Sequence, residues 1–249
     1  MPIPKKIHYC WFGGKKLPRH AEKCIASWRK FFPGFEIIKW DETNFDHNLT
    51  SYTSQSYAAK KYAFVSDFAR FWILYNHGGL YFDTDVEVIK PMDDILAEGS
   101  FMGCEPEDDT IDLGVNFAVA PGLGMATEKG NSLFKYILDK YSQIEFRRKD
   151  GTYNTKTVAW HVTNMLKILG LKDQNCIQTI KGVRIYPPEY FCPKSTRDGK
   201  IRITPNTRTI HYYNQSWQSP VIRLGRKVVL LIGGYKLKRI IKKAFFNSL

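Results

Sequence analysis

No apolar run in this 249-residue chain approaches the roughly 20 residues that a membrane-spanning helix needs; the candidate at Val228–Ile232 is cut short by Gly233 and Gly234. The opening stretch, MPIPKKIHYCWFGG, also lacks the apolar core of a secretory leader, so the chain is expected to begin directly with a strand. Cysteine is sparse and unpatterned. Cys10, Cys24, Cys104, Cys176 and Cys192 form an odd set without a C-x-x-C pair, which argues against a disulfide framework or a zinc knuckle and fits a reducing cytoplasm. No internal repeat or low-complexity segment is evident. Acidic residues are the scarcer charge, 24 against 37 Lys and Arg, for a net charge of +13. The imbalance is local: 221–249 holds eight of the basic residues and none of the acidic ones, leaving +5 for the rest. With 43% hydrophobic residues, the chain is long enough for one full core. The expected organisation is a single domain at 1–220 with a basic tail at 221–249.

What is present is concentrated in YAAKKYAFVSDFARFWILYNHGGLYFDTDVEVIKP, Tyr57 to Pro91. Ala58, Tyr62, Val65, Ala69, Trp72 and Ile73 recur at helical spacing, and Phe64, Phe71 and Leu74 make the opposite side apolar as well. A helix apolar nearly all round is buried, and charges on it are expected to be paired or used. Asp67 and Arg70 are such charges, three residues apart and on one face. Asn76-His77-Gly78-Gly79 supplies the helix stop. LYFDTDVEVI then reads as a strand, in which Tyr81, Asp83 and Asp85 line one side. Two carboxylates that converge raise each other's proton affinity unless a cation lies between them, and a hard divalent ion completed by substrate phosphates is the economical cation. The plainer reading of D-x-D is a turn or an exposed strand end.

The early alternation of strand (Ile3 to Trp11), helix (Pro18 to Phe32), strand (Phe35 to Trp40), helix and strand indicates an α/β sheet. The end of a first strand is where such sheets bind nucleotides, and here it carries Trp11 and Phe12-Gly13-Gly14. G-G-K-K lacks the spacing of a phosphate loop. Trp11 reads either as a core aromatic or as a base-stacking one. Glu42 to Ser56 is polar and reads as a loop, with His47 on its surface. Short strands are expected at Phe101–Glu105 and Val115–Ala120, separated by the acidic EPEDDTIDLG. Asn116 stands alone among apolar residues, and a buried amide there would need a backbone or ligand partner. Helices are expected at Asn131–Gln143 and Lys156–Leu169, and a rigid turn in VRIYPPEYFCP. In TIHYYNQSWQ a strand delivers His211 at its end.

The run S-D-x-x-R, a helix end with G-G, then L-Y-x-D-x-D resembles the glycosyltransferases of family 32 and, at the same spacing, the glucosyltransferase domains of the large clostridial toxins. This resemblance implies a GT-A-like (Rossmann-like) fold, a divalent metal and a nucleoside diphosphate sugar. It implies that Asp67, Arg70, Asp83 and Asp85 form the catalytic centre, with Asp67 and Arg70 on the sugar hydroxyls. Asp85 and His211 would bind Mn²⁺ or Mg²⁺ directly, and Asp83 through water or by holding the ribose. Trp11 would stack on uracil, Tyr81 and Asn116 would belong to the donor site, and Ser216 and Trp217 would lie on the diphosphate. The implied reaction is retaining hexosyl transfer from a UDP-sugar, with GDP-mannose as the alternative, to a hydroxyl of a growing glycan, and the basic tail suggests a lipid-linked oligosaccharide acceptor, as in surface or capsular polysaccharide assembly. A nucleotide-sugar hydrolase and a non-enzymatic membrane scaffold are the competing classes.

In the tail, Leu237, Ile240, Ile241, Ala244 and Phe245 share one helical face with basic residues elsewhere, the pattern of a helix lying on an anionic membrane surface. A C-terminal helix packed on the domain is the alternative. The expected location is cytoplasmic, peripheral on the inner face of the cell membrane. Nucleic acid is not an expected partner, because base-stacking aromatics are not interleaved with these charges.

Overall fold

A computed structural model describes residues 2–106, 116–195 and 199–213. Ser216, Trp217, the tail and most of the acidic loop lie outside the described residues.

The chain is α/β, as its alternating pattern implies. Strand β1 (Lys6–Cys10) is followed by α1 (Arg19–Phe31), β2 (Glu36–Trp40), α2 (Ser51–Ala58), α3 (Tyr62–His77) and β3 (Gly79–Tyr81). Next come β4 (Val86–Val88), α4 (Asp93–Ala97), β5 (Phe101–Pro106), β6 (Phe117–Val119) and β7 (Met125–Thr127). The remainder is α5 (Ser132–Tyr141), α6 (Val158–Ile168), β8 (Gln178–Ile180), β9 (Val183–Tyr186), α7 (Pro188–Phe191) and β10 (Thr209–His211). Among the described residues the main sheet runs β2-β1-β3-β7-β5-β9-β8, with β6 beside β5. β1 is parallel to both β2 and β3, β7 is antiparallel to β3 and to β5, and β9 is parallel to β5. The C-terminal ends of β1, β3, β5 and β9 therefore share one edge of the sheet.

Alternation along β1 assigns the two faces. Ile7 and Tyr9 enter an apolar cluster with Ile25 and Trp28 of α1, while Cys10 enters another with Phe68, Phe71 and Leu74 of α3 and Phe134 of α5. α3 is buried as its composition requires, and its acid–base pair is buried with it. His8 ties three elements together: its Nε2 lies 3.0 Å from the Gly78 carbonyl, and its Nδ1 accepts from Trp40 Nε1 at 3.0 Å.

Three expectations are corrected. The polar stretch before Tyr57 is not all loop, because Thr50 and Thr53 form a reciprocal capping box that starts α2 at Ser51. The central helix is two helices, broken around Lys60, which takes a left-handed φ of 56°. LYFDTDVEVI is not one strand. Tyr81 ends β3, the Asp83 N–H donates to the Gly122 carbonyl at 2.9 Å, and the Val86 N–H donates back to the Asp83 carbonyl at 3.0 Å. β4 then leaves the main sheet to pair antiparallel with β10, placing Val86 opposite His211. The D-x-D segment is thus a turn, as its plainer reading had it, at the junction of two sheets.

Candidate active site at the junction of two sheets

α3 brings the first half of the site. Arg70 is fixed on three sides: Nε donates to the Ser66 carbonyl at 2.9 Å, Nη2 meets Asp67 Oδ1 at 3.1 Å, and Nη2 lies 3.4 Å from Asp83 Oδ1. The Tyr81 ring lies 5.1 Å from the guanidinium carbon, and its hydroxyl donates to Asp83 Oδ1 at 3.0 Å. Tyr81 is buried, so in this arrangement it orients Asp83. Burial pushes the Asp67 carboxyl up to about 7, against the pull of Arg70. Burial works against the Arg70 charge too, but Asp83, Tyr81 and Asp67 outweigh it and raise its proton affinity.

The backbone that follows β6 completes this half. A Cβ built on Gly122 would lie 1.9 Å from Asp83 Oδ2 and 3.0 Å from Arg70 Nη1, so residue 122 has no room for a side chain. The sequence offers no sign of this requirement.

β10 brings the second half. His211 Nε2 lies 3.0 Å from Asp85 Oδ1, and the Tyr212 N–H donates to the Asp85 carbonyl at 3.0 Å. His211 Nδ1 is buried without a hydrogen-bond partner among the described residues. Burial lowers the proton affinity of this imidazole, but Asp85, with Asp83 and Glu105, more than offsets it, and the net direction is upward. The Tyr213 ring lies 4.2 Å from that of His211, and its hydroxyl donates to Glu105 at 2.8 Å. Lys194 donates from Nζ to the Tyr212 carbonyl at 2.7 Å. Nothing in the sequence marks Lys194 as a neighbour of the D-x-D turn.

Asp85 and His211 fit a divalent ion. A carboxylate oxygen and an imidazole nitrogen are both donor types that divalent ions take, and here they meet in a 3.0 Å hydrogen bond that an ion would have to replace. Asp83 is turned toward Arg70 and Tyr81 instead, and among the described residues no three His, Cys, Asp or Glu side chains gather as a ready metal cage. An ion here would draw further ligands from water and phosphate, as hard cations at substrate sites do.

The other expected site residues fall as follows. Trp11 is half-buried just beyond β1, its indole N–H donating to the Lys15 carbonyl at 2.6 Å. Asn116 is exposed, contrary to the expectation of a buried amide. It stands at the lip where β6 begins, and its backbone N–H and side-chain amide both donate to the Asp173 carboxylate at 2.7 Å. It borders a cavity of about 460 Å³ with Phe117, Asp173, Asn175 and Glu189, which Asp83, Asp85 and His211 do not line.

Comparison with known proteins bears on the half of the site that α3 and the D-x-D turn supply. Residues 18–102 match the glycosyltransferase sugar-binding region containing DXD motif, a span that includes Asp67, Arg70, Asp83 and Asp85. The chain is therefore similar, over this span, to the D-x-D sugar-binding region of glycosyltransferases, the resemblance its sequence carries. It is 31% identical over 111 residues to inositol phosphoceramide mannosyltransferase 1 of Schizosaccharomyces pombe, a match covering 40% of this chain and 33% of the relative. It is 33% identical over 105 residues to an uncharacterised glycosyltransferase of Acanthamoeba polyphaga mimivirus, covering 40% of this chain and 42% of the relative. The chain thus spans less than half the length of these curated relatives. Among solved structures, the PaToxG glycosyltransferase is 20% identical with a TM-score of 0.47, covering 67% of this chain and 70% of that one. The apo form of glycosyltransferase GlyE from Streptococcus pneumoniae TIGR4 is 13% identical with a TM-score of 0.48, covering 99% of this chain and 64% of that one.

Proposed function

We propose that this chain is a metal-dependent, retaining hexosyltransferase that moves a sugar from a UDP-sugar to a hydroxyl of a glycan or lipid-linked acceptor. The observation that carries this reading is the meeting of Asp85 with His211 at the D-x-D turn, beside the buried Arg70–Asp67 pair. Asp85 and His211 would hold Mn²⁺ or Mg²⁺, with manganese favoured by the imidazole ligand. The bound ion supplies positive charge against which a diphosphate departs. Asp83, held by Arg70 and Tyr81, would reach that ion through water or hold the ribose. Asp67 and Arg70 would grip the sugar hydroxyls with a guanidinium whose orientation is fixed before substrate arrives, so little side-chain freedom remains to be lost. Trp11 would stack on the base, and Ser216 and Trp217 would add donors at the diphosphate.

Retention follows from attack on the face from which the diphosphate leaves. The acceptor oxygen bonds to the anomeric carbon, the bond from that carbon to the phosphate oxygen breaks, and the acceptor's proton passes to the departing phosphate. A covalent glycosyl-enzyme seen by mass spectrometry would overturn this route in favour of double displacement.

Two relatives favour a second reading of the donor and acceptor. Both the first and a further match, 30% identical over 105 residues, are named inositol phosphoceramide mannosyltransferases, so GDP-mannose is the alternative donor and a lipid-borne acceptor is favoured. The basic tail would hold the enzyme at an anionic membrane surface on the cytoplasmic side, at about 1 kcal/mol per basic residue near the surface. That location suits surface or capsular polysaccharide assembly. Among the described residues no helix is long and apolar enough to cross a membrane.

The test is nucleoside diphosphate release from UDP-glucose, UDP-galactose, UDP-N-acetylglucosamine and GDP-mannose, with Mn²⁺ or with EDTA. Manganese-dependent release from one donor, stimulated by a glycan acceptor, supports transfer. Release that ignores acceptors would make the protein a nucleotide-sugar hydrolase.

A further inference from the structure

Lys194 follows directly on VRIYPPEYFCP, a stretch to which the sequence assigns no chemistry. In the fold that stretch carries β9 and α7 along the edge where β3 also ends, and delivers Lys194 beside β10. Its ammonium donates to the Tyr212 carbonyl at 2.7 Å, and the N–H of the same residue donates to the Asp85 carbonyl at 3.0 Å. The cation therefore bonds the residue that follows His211 and is joined to the Asp85 backbone through Tyr212. It lies 5.5 Å from the centroid of the Tyr212 ring, and the Asp85 charge acts on it. A lysine ammonium has three N–H donors, of which the Tyr212 carbonyl takes one.

A cation beside a metal-binding pair is unfavourable for the ion, because like charges repel. Its presence is explained if the site also receives a ligand with more negative charge than the metal alone can neutralise. A nucleoside diphosphate is such a ligand. We propose that Lys194 is a diphosphate-binding residue, placing a second positive charge on the departing phosphate from the side of β10. The inference rests on the glycosyltransferase reading of the site and deepens it, since neither the D-x-D pattern nor the matched sugar-binding region reaches residue 194.

The experiment measures two affinities by calorimetry, for Mn²⁺ alone and for UDP or GDP with saturating Mn²⁺, in the wild type, Lys194→Met and Lys194→Arg. Loss of a charge-assisted hydrogen bond should weaken nucleoside diphosphate binding about ten- to a hundredfold in Lys194→Met. Mn²⁺ alone should bind that variant as tightly as the wild type or more tightly, because a repelling charge is gone. Lys194→Arg should recover most of the nucleotide affinity. If Lys194→Met binds the nucleotide like the wild type, the inference fails while the site reading stands. If it loses Mn²⁺ and nucleotide affinity together, Lys194 merely supports the Tyr212 backbone and the inference again fails. If the wild type binds neither UDP nor GDP, the site reading fails and takes the inference with it.

Discussion

Asp85 and His211 are 126 positions apart in sequence and 3.0 Å apart in the fold. They meet because β4 abandons the main sheet after the D-x-D turn and pairs with β10 in a register that sets Val86 opposite His211. If the pair holds a metal, His211→Ala should raise the Mn²⁺ concentration for half-maximal donor release by at least about tenfold, the equivalent of 1.4 kcal/mol. Thermal stability without metal should fall as well, because the variant loses the Nε2–Asp85 contact, so the metal role is read from the Mn²⁺ titration and not from Tm.

Gly122→Ala tests whether Asp83 must sit where it does. A methyl group 1.9 Å from Asp83 Oδ2 has to displace the carboxylate from Arg70 and Tyr81. Donor turnover should fall about a hundredfold, as for a catalytic group misplaced by an ångström. Far-UV circular dichroism should be unchanged. Full activity would show that the Asp83 carboxylate has another working position.

Arg70→Met removes the partner of a buried carboxylate, which costs about 3–5 kcal/mol when the charge stays behind. Asp67, already pushed up to about 7 by burial with Arg70 opposing, would move further upward without it. A carboxyl raised in the folded state stabilises fully below its unfolded value and loses that contribution as pH rises through the folded one. The stability deficit should therefore grow between pH 6 and pH 9 in chemical denaturation, and Asp67→Asn in the same background should flatten it. A pH-independent deficit would show that Asp67 remains charged throughout.

His8 predicts acid sensitivity. Burial, with the Gly78 bond opposing, lowers its imidazole to about 4 from an ordinary 6.5. The unfolded chain then binds the proton first as pH falls, so the contribution is complete above about 6.5 and is lost toward 4. The ceiling is about 3 kcal/mol, at 1.36 kcal/mol for each pH unit. Asp67 works in the opposite direction between pH 4 and 7, so the His8 contribution is read from the difference between wild type and His8→Gln. The variant should be less stable at pH 7 and show a shallower loss on acidification. Parallel stability curves would contradict the assignment.

The α/β class and helix α1 were legible because their signals are local: apolar spacing, caps and the alternation of element types. So was the delivery of His211 by a short strand. The D-x-D segment misled in one respect, since its alternation continues unbroken through LYFDTDVEVI. The break depends on a hydrogen bond to Gly122, 39 positions away, and on a pairing with β10 that periodicity does not encode. α2 was legible in principle, but its Thr50–Thr53 box lies in a run of Ser, Thr and Tyr that reads as loop. Asn116 looked buried because its sequence neighbours are apolar, whereas its position at the start of β6 turns it toward Asp173. Gly122 and Lys194 carry no sequence signal, because one acts by the space it leaves and the other through a backbone carbonyl.

Whether Asp85 holds the metal is decided by comparing Asp85→Ala with wild type in nucleoside diphosphate release from the best donor, with EDTA and with Mn²⁺ restored. Mn²⁺ should restore release in the wild type, and the variant should stay at the EDTA baseline at every Mn²⁺ concentration while keeping its fold. Manganese-dependent release by Asp85→Ala at the wild-type rate would rule out Asp85 as a metal ligand.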